Sequence, residues 1–150
     1  MKCLIIYTSK HKGNTKKVAL EMADELKCEA KTVEDVNPSE LDNYELIGIG
    51  SGIYAFGMDK KLKKLFKKVS QQKSKKVFLF STSGDLNGIK YHKSMKKFLE
   101  KKGFAIIGEF NCPGAYTGWF FGKKNINIDR PSKVDLEKAR EFVKEIIKKF

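Results

Sequence analysis

Short apolar runs alternate along this chain with longer stretches in which apolar residues recur at helical spacing. The apolar runs of strand length cover residues 3–7, 46–50, 77–80 and 104–110, and residues 28–33 are predicted to form a short second strand. Helical spacing is carried between them by Val18, Ala19, Met22, Ala23 and Leu26, by Leu62, Leu65, Phe66 and Val69, by Met95, Phe98 and Leu99, and finally by Leu136, Ala139, Val143, Ile146, Ile147 and Phe150. The pattern predicts strands and helices in alternation, with Asp59 and Ser132 as N-caps and Gly103 just past the end of the third long helix.

The predicted strands are apolar on both faces, which is typical of parallel strands covered on both sides of the sheet. We therefore expect an α/β fold, a doubly wound five-stranded parallel sheet with helices on both faces. The 150 residues suffice for one domain spanning 1–150. No apolar run approaches the ~20 residues of a membrane helix, and no signal peptide is recognisable, so a cytoplasmic location without membrane contact is expected.

The turn between the first strand and the first helix has the composition of a phosphate-binding loop. It contains Thr8, Ser9, Lys10, His11, Lys12, Gly13, Asn14 and Thr15. The first amides of a helix lack intrahelical partners and favour an anion, and the hydroxyls, the amide and the lysines of this turn add further contacts. His11 either faces the phosphate or occupies an exposed loop.

Two further loops follow the third and fourth strands and are rich in glycine, hydroxyls and aromatic rings. The candidate ligand contacts there are Ser51, Gly52, Ile53, Tyr54, Phe56 and Gly57, and Ser81, Thr82, Ser83 and Gly84. In doubly wound sheets, ligands bind outside the carboxyl ends of the strands. A ligand with a phosphate at one end and a flat ring system at the other is expected, and flavin mononucleotide (FMN) fits. Ser81 to Ser83 could instead cap the following helix.

The residues of these loops resemble those of the flavodoxin family. Gly13-Asn14-Thr15 matches the end of the family's phosphate loop, although a lysine precedes it and Ser9 lies one residue further away; Cys112-Pro113-Gly114 resembles a branch of short flavodoxin-like proteins. The resemblance implies the strand order 2-1-3-4-5 and non-covalent FMN, with Ser9, Asn14 and Thr15 on the phosphate and Tyr54 or Phe56 against the ring. It also implies a backbone carbonyl at Gly52 or Gly57 that contacts the reduced ring, and an electron carrier that needs no catalytic residue.

The formal net charge of +13 distinguishes this chain from the flavodoxins that it resembles, because flavodoxins are generally acidic. Its densest part, residues 60–76, predicts a helix with lysines on its outer face, which is either a solvated surface or a docking site for acidic redox proteins. The carrier is expected to be a monomer. An NAD(P)H-dependent FMN or quinone reductase on the same fold is the alternative, and a nucleic-acid-binding module is a remote one.

The remaining candidates have structural interpretations. The three cysteines show no paired spacing, so we expect reduced thiols and no metal site, with Cys112 as a small apolar residue of the core. Tyr91 and His92 are expected to be structural. Residues 119–121, Trp-Phe-Phe, either pack over the sheet or form an exposed contact patch, and residues 111–131 receive no assignment.

Overall fold

A computed structural model describes residues 1–10, 13–120 and 123–150, with the backbone alone for residues 116–120 and 123–125. His11 and Lys12 lie outside the described residues, as does Phe121, and the side chains of Trp119 and Phe120 lie outside the described side chains. Interpretations that depend on these residues stay predictions. The other elements follow in the order that the sequence pattern predicts.

Strands and helices alternate along most of the chain. The strands are β1 (Cys3–Tyr7), β2 (Glu29–Thr32), β3 (Leu46–Tyr54), β4 (Gly57–Met58), β5 (Lys75–Ser83), β6 (Phe104–Pro113), β7 (Tyr116–Phe120) and β8 (Lys123–Ile126). The α-helices are α1 (Asn14–Leu26), α2 (Lys60–Lys67), α3 (Lys93–Lys101) and α4 (Lys133–Lys148). Short 3-10 helices cover Val33–Asp35, Pro38–Asn43 and Gly88–His92. The alternation is interrupted where β4 follows β3 directly and where β7 and β8 follow β6.

Five strands form a parallel sheet in the order β2-β1-β3-β5-β6. Counted along the chain without the short strand β4, this is the order 2-1-3-4-5, so the predicted fold class is confirmed. β4 adds a sixth strand, which pairs antiparallel with the end of β3. The prediction omitted it because two residues are too few to show a periodic pattern.

The sheet is buried on both faces, and each face has its own apolar core. On one face, Leu4 and Ile6 of β1 join Leu62 and Phe66 of α2 in a cluster that also includes residues of α3. On the other face, Cys3 and Ile5 join residues of α1 and α4. Alternate residues of one strand therefore point into opposite cores, which explains why β1 is apolar throughout, whereas the edge strand β2 includes Glu29, Lys31 and Thr32.

Several helix boundaries coincide with the predicted caps. Asp59 accepts a hydrogen bond from the Lys61 amide at the start of α2, and Ser132 and Asp135 form a reciprocal capping box on α4. Gly103 follows α3 with a φ of +89°, a conformation that favours glycine. Local side-chain chemistry thus fixes where these helices begin and end.

Two sequence-based assignments differ from the structure. The basic helix predicted over residues 60–76 ends at Lys67, because Lys75 and Lys76 already belong to β5. The unassigned segment 111–131 begins with the end of β6, which runs on to Pro113, and continues as an antiparallel hairpin of β7 and β8. Pairing of Lys75 and Lys76 with neighbouring strands thus shortens the helix that the lysine-rich pattern predicted.

The three cysteines form no disulfide with one another in this structure, and two of them meet in space. The sulfur atoms of Cys3 and Cys28 lie 3.5 Å apart on neighbouring parts of β1 and the start of β2, which their 25-residue separation did not reveal. Cys112 is buried in the core beside α4, and this burial, followed by the charge of Asp135, raises the pKa of Cys112 to about 12. Its thiol is therefore protonated and unreactive at neutral pH.

Candidate functional site

The three predicted ligand loops lie side by side at one edge of the sheet. Tyr7 at the end of β1 pairs with Gly50, and Gly50 pairs in turn with Phe80 of β5. The chain leaves these neighbouring parallel strands in the same direction, so the loops that follow them converge. The structure thereby brings together candidate residues that the sequence separates by more than 70 positions.

The first loop leads into the N-terminus of α1 through Gly13, whose left-handed backbone conformation favours glycine. Gly13 precedes the helix with a φ of +69° and has open space where a Cβ would stand. The Thr8 amide donates to the carbonyl of Gly50 at 3.0 Å, and the Ser9 hydroxyl accepts from the Lys16 amide at 3.2 Å. Ser9 therefore accepts a hydrogen bond from one of the amides that lack an intrahelical partner. A phosphate ligand could accept hydrogen bonds from other amides at the start of the helix.

Asn14 and Thr15 connect this loop to distant parts of the chain. The Asn14 amide nitrogen donates to the carbonyl of Ala115 at 2.7 Å, and the Thr15 and Thr82 hydroxyls lie 2.9 Å apart. Gly114 packs so closely on Asn14 that an added Cβ would lie 2.8 Å from its Nδ2 atom. Ala115 was not a predicted site residue, because a backbone carbonyl leaves no signal in the sequence.

Two buried polar atoms of the first loop have no hydrogen-bond partner among the described residues. They are the hydroxyl oxygen of Thr8 and the side-chain oxygen of Asn14, in residues that are 5% and 6% exposed. Buried polar atoms in native proteins are nearly always satisfied, and leaving one unpaired costs about 1–3 kcal/mol. A ligand with oxygen and hydroxyl groups, such as a phosphorylated polyol, fits this requirement.

Lys10 points to the second loop. Its ammonium group lies 3.7 Å from the Asp59 carboxylate and 4.5 Å from the centre of the Tyr54 ring. Asp59 is buried as the cap of α2, so Lys10 supplies the positive charge that a buried carboxylate needs. Lys10 thus joins two loops in this structure, and its predicted contact with a phosphate stays a prediction.

Tyr54 folds back over its own strand. Its hydroxyl lies so close to Gly52 that a Cβ on Gly52 would stand 2.6 Å away. Burial, and then the charge of Asp59, raises the pKa of Tyr54, which keeps the phenol neutral. The ring therefore packs between the first two loops with its polar end turned inward.

The turn between β3 and β4 holds Phe56 in an unusual backbone conformation. Ala55 and Phe56 have φ values of +49° and +64°, as in a two-residue hairpin turn that normally uses asparagine and glycine. Phe56 is nevertheless 67% exposed, and its ring centre lies 6.0 Å from that of Tyr91. The positive φ values occur at Ala55 and Phe56 and not at the neighbouring glycines Gly52 and Gly57. The strained turn holds the Phe56 ring at the edge of the site. Ile53, also a predicted contact, pairs with Met58 in this hairpin.

Two of the predicted hydroxyls point into the protein. Ser51 is fully buried; its hydroxyl donates to the Gly52 carbonyl at 2.7 Å and accepts from the Asp59 amide at 3.0 Å. The Ser81 hydroxyl lies 2.6 Å from His92 Nε2. Neither residue begins a helix, because β3 and β5 both continue through them. Ser51 and Ser81 are paired with each other in the sheet, and their roles as ligand contacts stay predictions.

His92 is fully buried between β5 and β6, which agrees with the predicted structural role. Burial lowers the pKa of His92, against the opposing effect of Glu109, whose carboxylate lies 3.5 Å from Nδ1. Asn111 completes this polar cluster by donating to the Ser81 hydroxyl at 2.8 Å. The cluster fixes the end of β5 from the side opposite to Thr15.

The third loop is held by contacts that the sequence did not reveal. The Ser83 hydroxyl donates to the Asp85 carbonyl, and the Gly84 carbonyl accepts from Asn127 at 3.2 Å. The Asp85 carboxylate accepts from the Asn87 amide at 2.8 Å and from the Tyr91 hydroxyl at 2.9 Å. These bonds, the amide first, lower the pKa of Asp85 to about 2, so it stays ionised and holds the loop in shape.

Sequence comparison places the chain in a known family. A family model described as "Flavodoxin domain" matches residues 4–115. An uncharacterized protein of Methanocaldococcus jannaschii is 42% identical over 150 residues, which cover 99% of each chain. The flavodoxin-like domain-containing protein BilS of Clostridioides difficile is 32% identical over 122 residues, 76% of this chain and 66% of that protein. The chain belongs to the flavodoxin family.

Solved structures of low sequence identity show the same fold. A flavodoxin from the domain Archaea has a TM-score of 0.78 at 18% identity, with 99% of this chain and 98% of that chain covered. A Fusobacterium nucleatum flavodoxin bound to flavin mononucleotide has a TM-score of 0.71 at 16% identity, with 100% and 99% covered. Within the described residues of this chain, none of the helices combines the length and apolarity needed to cross a membrane.

Proposed function

We propose that this protein binds FMN non-covalently at the three converging loops and carries electrons between redox proteins. The observation that carries the proposal is the pair of buried, unpartnered polar atoms on Thr8 and Asn14 beside the N-terminus of α1. Membership of the flavodoxin family and a fold shared with an FMN-bound flavodoxin support it. The cytoplasmic location and monomeric state expected from the sequence stay predictions.

The loop after β1 would hold the phosphate. Its donors would be the first amides of α1, at Asn14 and Thr15, with the hydroxyls of Thr8 and Ser9. The helix dipole favours the negative charge there, and Lys16 lies in the first turn of α1. The open space at Gly13 allows the backbone to approach the ligand closely.

The loops after β3 and β5 would hold the ring system. When bound, the flavin supplies the one-electron chemistry, and the chain orients it and limits its contact with water. Phe56 offers an exposed aromatic face, and the backbone between Thr82 and Gly84 offers polar groups for the ring edge. Asp85 and Tyr91 keep that backbone in place through the hydrogen bonds described above.

Titration of FMN with the purified protein tests the binding site. The flavin fluorescence should be quenched, and the melting temperature should rise with FMN concentration. Thr8→Val removes the unpartnered hydroxyl at nearly constant shape and should weaken FMN binding by about tenfold, which corresponds to one lost hydrogen bond. Ser39→Ala is the control, because that hydroxyl bonds to Asn37 outside the three loops.

The results separate the possible functions. If FMN changes neither the fluorescence nor the melting temperature, the proposal is wrong. If FMN binds and the protein oxidises NADPH continuously with a quinone present, it is a reductase on the same fold. Electron exchange with a redox protein, without NADPH turnover, is the result expected for a carrier.

A further inference from the structure

A basic groove runs between α2 and α3 and ends at the aromatic turn of the candidate site. Its volume is about 650 Å³. It is lined by Phe56, Tyr91, Ser94 and Phe98 and by five lysines, Lys63, Lys90, Lys93, Lys97 and Lys101. No aspartate or glutamate lines it among the described residues, so the groove presents one sign of charge.

Three of these lysines form a stripe along α3. Lys93, Lys97 and Lys101 follow one another at intervals of four residues and are all exposed. None of them has a carboxylate within ion-pair distance in the described part of the chain. Two lysines of α4 differ, since Lys144 pairs with Glu141 at 3.1 Å and Lys148 with Glu145 at 2.8 Å.

Such a stripe is unfavourable for the isolated protein. Like charges four residues apart on a helix repel each other, and nearby carboxylates normally relieve this repulsion. Here the repulsion is left in place on one face of α3, whereas α4 relieves it. A negatively charged partner that covers the groove would remove the repulsion on binding.

The position of the groove restricts what its occupant can be. Phe56 lies at one end of the groove, and it is also the exposed ring that we assign to the flavin site. Tyr91 connects the two, because its ring contacts Phe56 and its hydroxyl holds the third loop through Asp85. A protein bound in the groove would therefore have its surface next to the flavin ring.

We propose that this groove is the docking site for an acidic electron-transfer protein, whose carboxylates contact Lys93, Lys97 and Lys101. The identity of the partner as a redox protein rests on the proposed FMN function, whereas the site itself rests on the charge and shape of the groove. With FMN bound, the partner's redox centre would exchange one electron with the flavin, so that the centre giving up the electron would be oxidised and the other reduced. The docking site is thus the cleft beside α3, and not the whole outer face of α2.

Charge-reversal variants with matched net charge test the proposal. One variant carries Lys93→Glu, Lys97→Glu and Lys101→Glu; the control carries Lys133→Glu, Lys138→Glu and Lys149→Glu, which are exposed on or next to α4. Both variants change the net charge equally. A difference between their association rates would therefore be due to the groove and not to the overall electrostatic field. A triple Lys→Gln variant at 93, 97 and 101 serves as a milder change if the first variant unfolds.

An acidic [4Fe–4S] ferredoxin is the probe. Chemical-shift changes in the 15N-labelled protein should cluster on α3, Phe56 and Tyr91, and should vanish at high salt. The groove variant should associate with the ferredoxin at least about tenfold more slowly at low salt, and the control by no more than about twofold. The glutamine variant should give an intermediate loss.

Three results would overturn the proposal. They are equal losses in both charge-reversal variants, chemical-shift changes centred away from α3, and single-stranded DNA that occupies the groove more tightly than the ferredoxin does. FMN titration of the same samples separates the two proposals. If FMN does not bind, the electron-carrier function is wrong while the chemical-shift map still decides the docking site; if FMN binds and the map excludes the groove, only the docking proposal is wrong.

Discussion

Replacing Gly114 with alanine tests whether the segment after β6 supports the phosphate loop. The added methyl group would stand 2.8 Å from Asn14 Nδ2 and 3.2 Å from its Cγ atom. The Asn14 side chain must therefore move, and its buried 2.7 Å hydrogen bond to Ala115 is lost or distorted. Gly114 has no positive φ, so steric contact alone opposes the substitution.

The expected loss of stability follows from these contacts. The hydrogen bond contributes about 1 kcal/mol, and overpacking in a tight contact costs about 1–3 kcal/mol. Alanine also restricts the unfolded chain, which offsets about 0.5 kcal/mol. A net loss near 2 kcal/mol should lower the melting temperature by roughly 4–8 °C.

The same change should weaken FMN binding. A displaced Asn14 side chain would lose about one hydrogen bond to the ligand, which corresponds to roughly a tenfold higher dissociation constant. Thermal unfolding and fluorescence titration of one preparation measure both quantities. Two other glycines serve as controls because a Cβ at either would meet no atom within 4 Å.

The two controls separate sterics from backbone strain. Gly57→Ala should change stability little, because its φ is ordinary and no protein atom lies near the added Cβ; it is a control for stability alone, since Gly57 lies in a predicted ligand loop. Gly13→Ala meets no atom but must hold a φ of +69°, so it should lose about 1–2 kcal/mol of stability from strain alone. If Gly114→Ala behaves like Gly57→Ala, the link between the two segments is not what positions Asn14.

Two further predictions concern stability. Thr82→Val should destabilise the protein by about 1–3 kcal/mol, because it leaves the buried Thr15 hydroxyl without its 2.9 Å partner; the double variant with Thr15→Val should lose less than the sum of the single losses. Asp135→Asn should cost a similar amount at neutral pH and progressively less below about pH 4. The Arg130 guanidinium, followed by Ser132, holds the pKa of Asp135 below its usual range, so this stabilisation is present above the ordinary aspartate pKa and is lost as the pH falls through the lowered value. Urea unfolding measures both effects.

These two predictions have distinct contrary outcomes. Additive losses in the threonine double variant would mean that the two hydroxyls contribute independently. A destabilisation by Asp135→Asn that stays constant from neutral to acidic pH would mean that packing, and not the charge of Asp135, holds the start of α4. The 2.6 Å bond from Arg130 Nη2 to Asp135 supports the charge-based explanation.

The sequence by itself determined the five strands of the parallel sheet, the α-helices and the loop that joins β1 to α1. Strand and helix periodicity are local, and residues such as Asp59, Ser132 and Gly103 act on their nearest neighbours, so a few adjacent positions suffice to predict them. Gly13 was predicted for the same reason, since a turn that opens a helix needs a permissive residue at that point.

Tertiary structure alone decided which protein groups the predicted side chains contact. Ser81 has the composition of a ligand contact, yet its hydroxyl is taken by His92 across the polar cluster. Lys10 turns toward Asp59 because a buried carboxylate needs a nearby cation. The bond from Asn14 to Ala115 joins positions 101 residues apart and uses a backbone carbonyl that any residue would supply. The direction of a hydroxyl and the partner of a charge depend on which segments the folded chain brings together, and no local pattern contains that information.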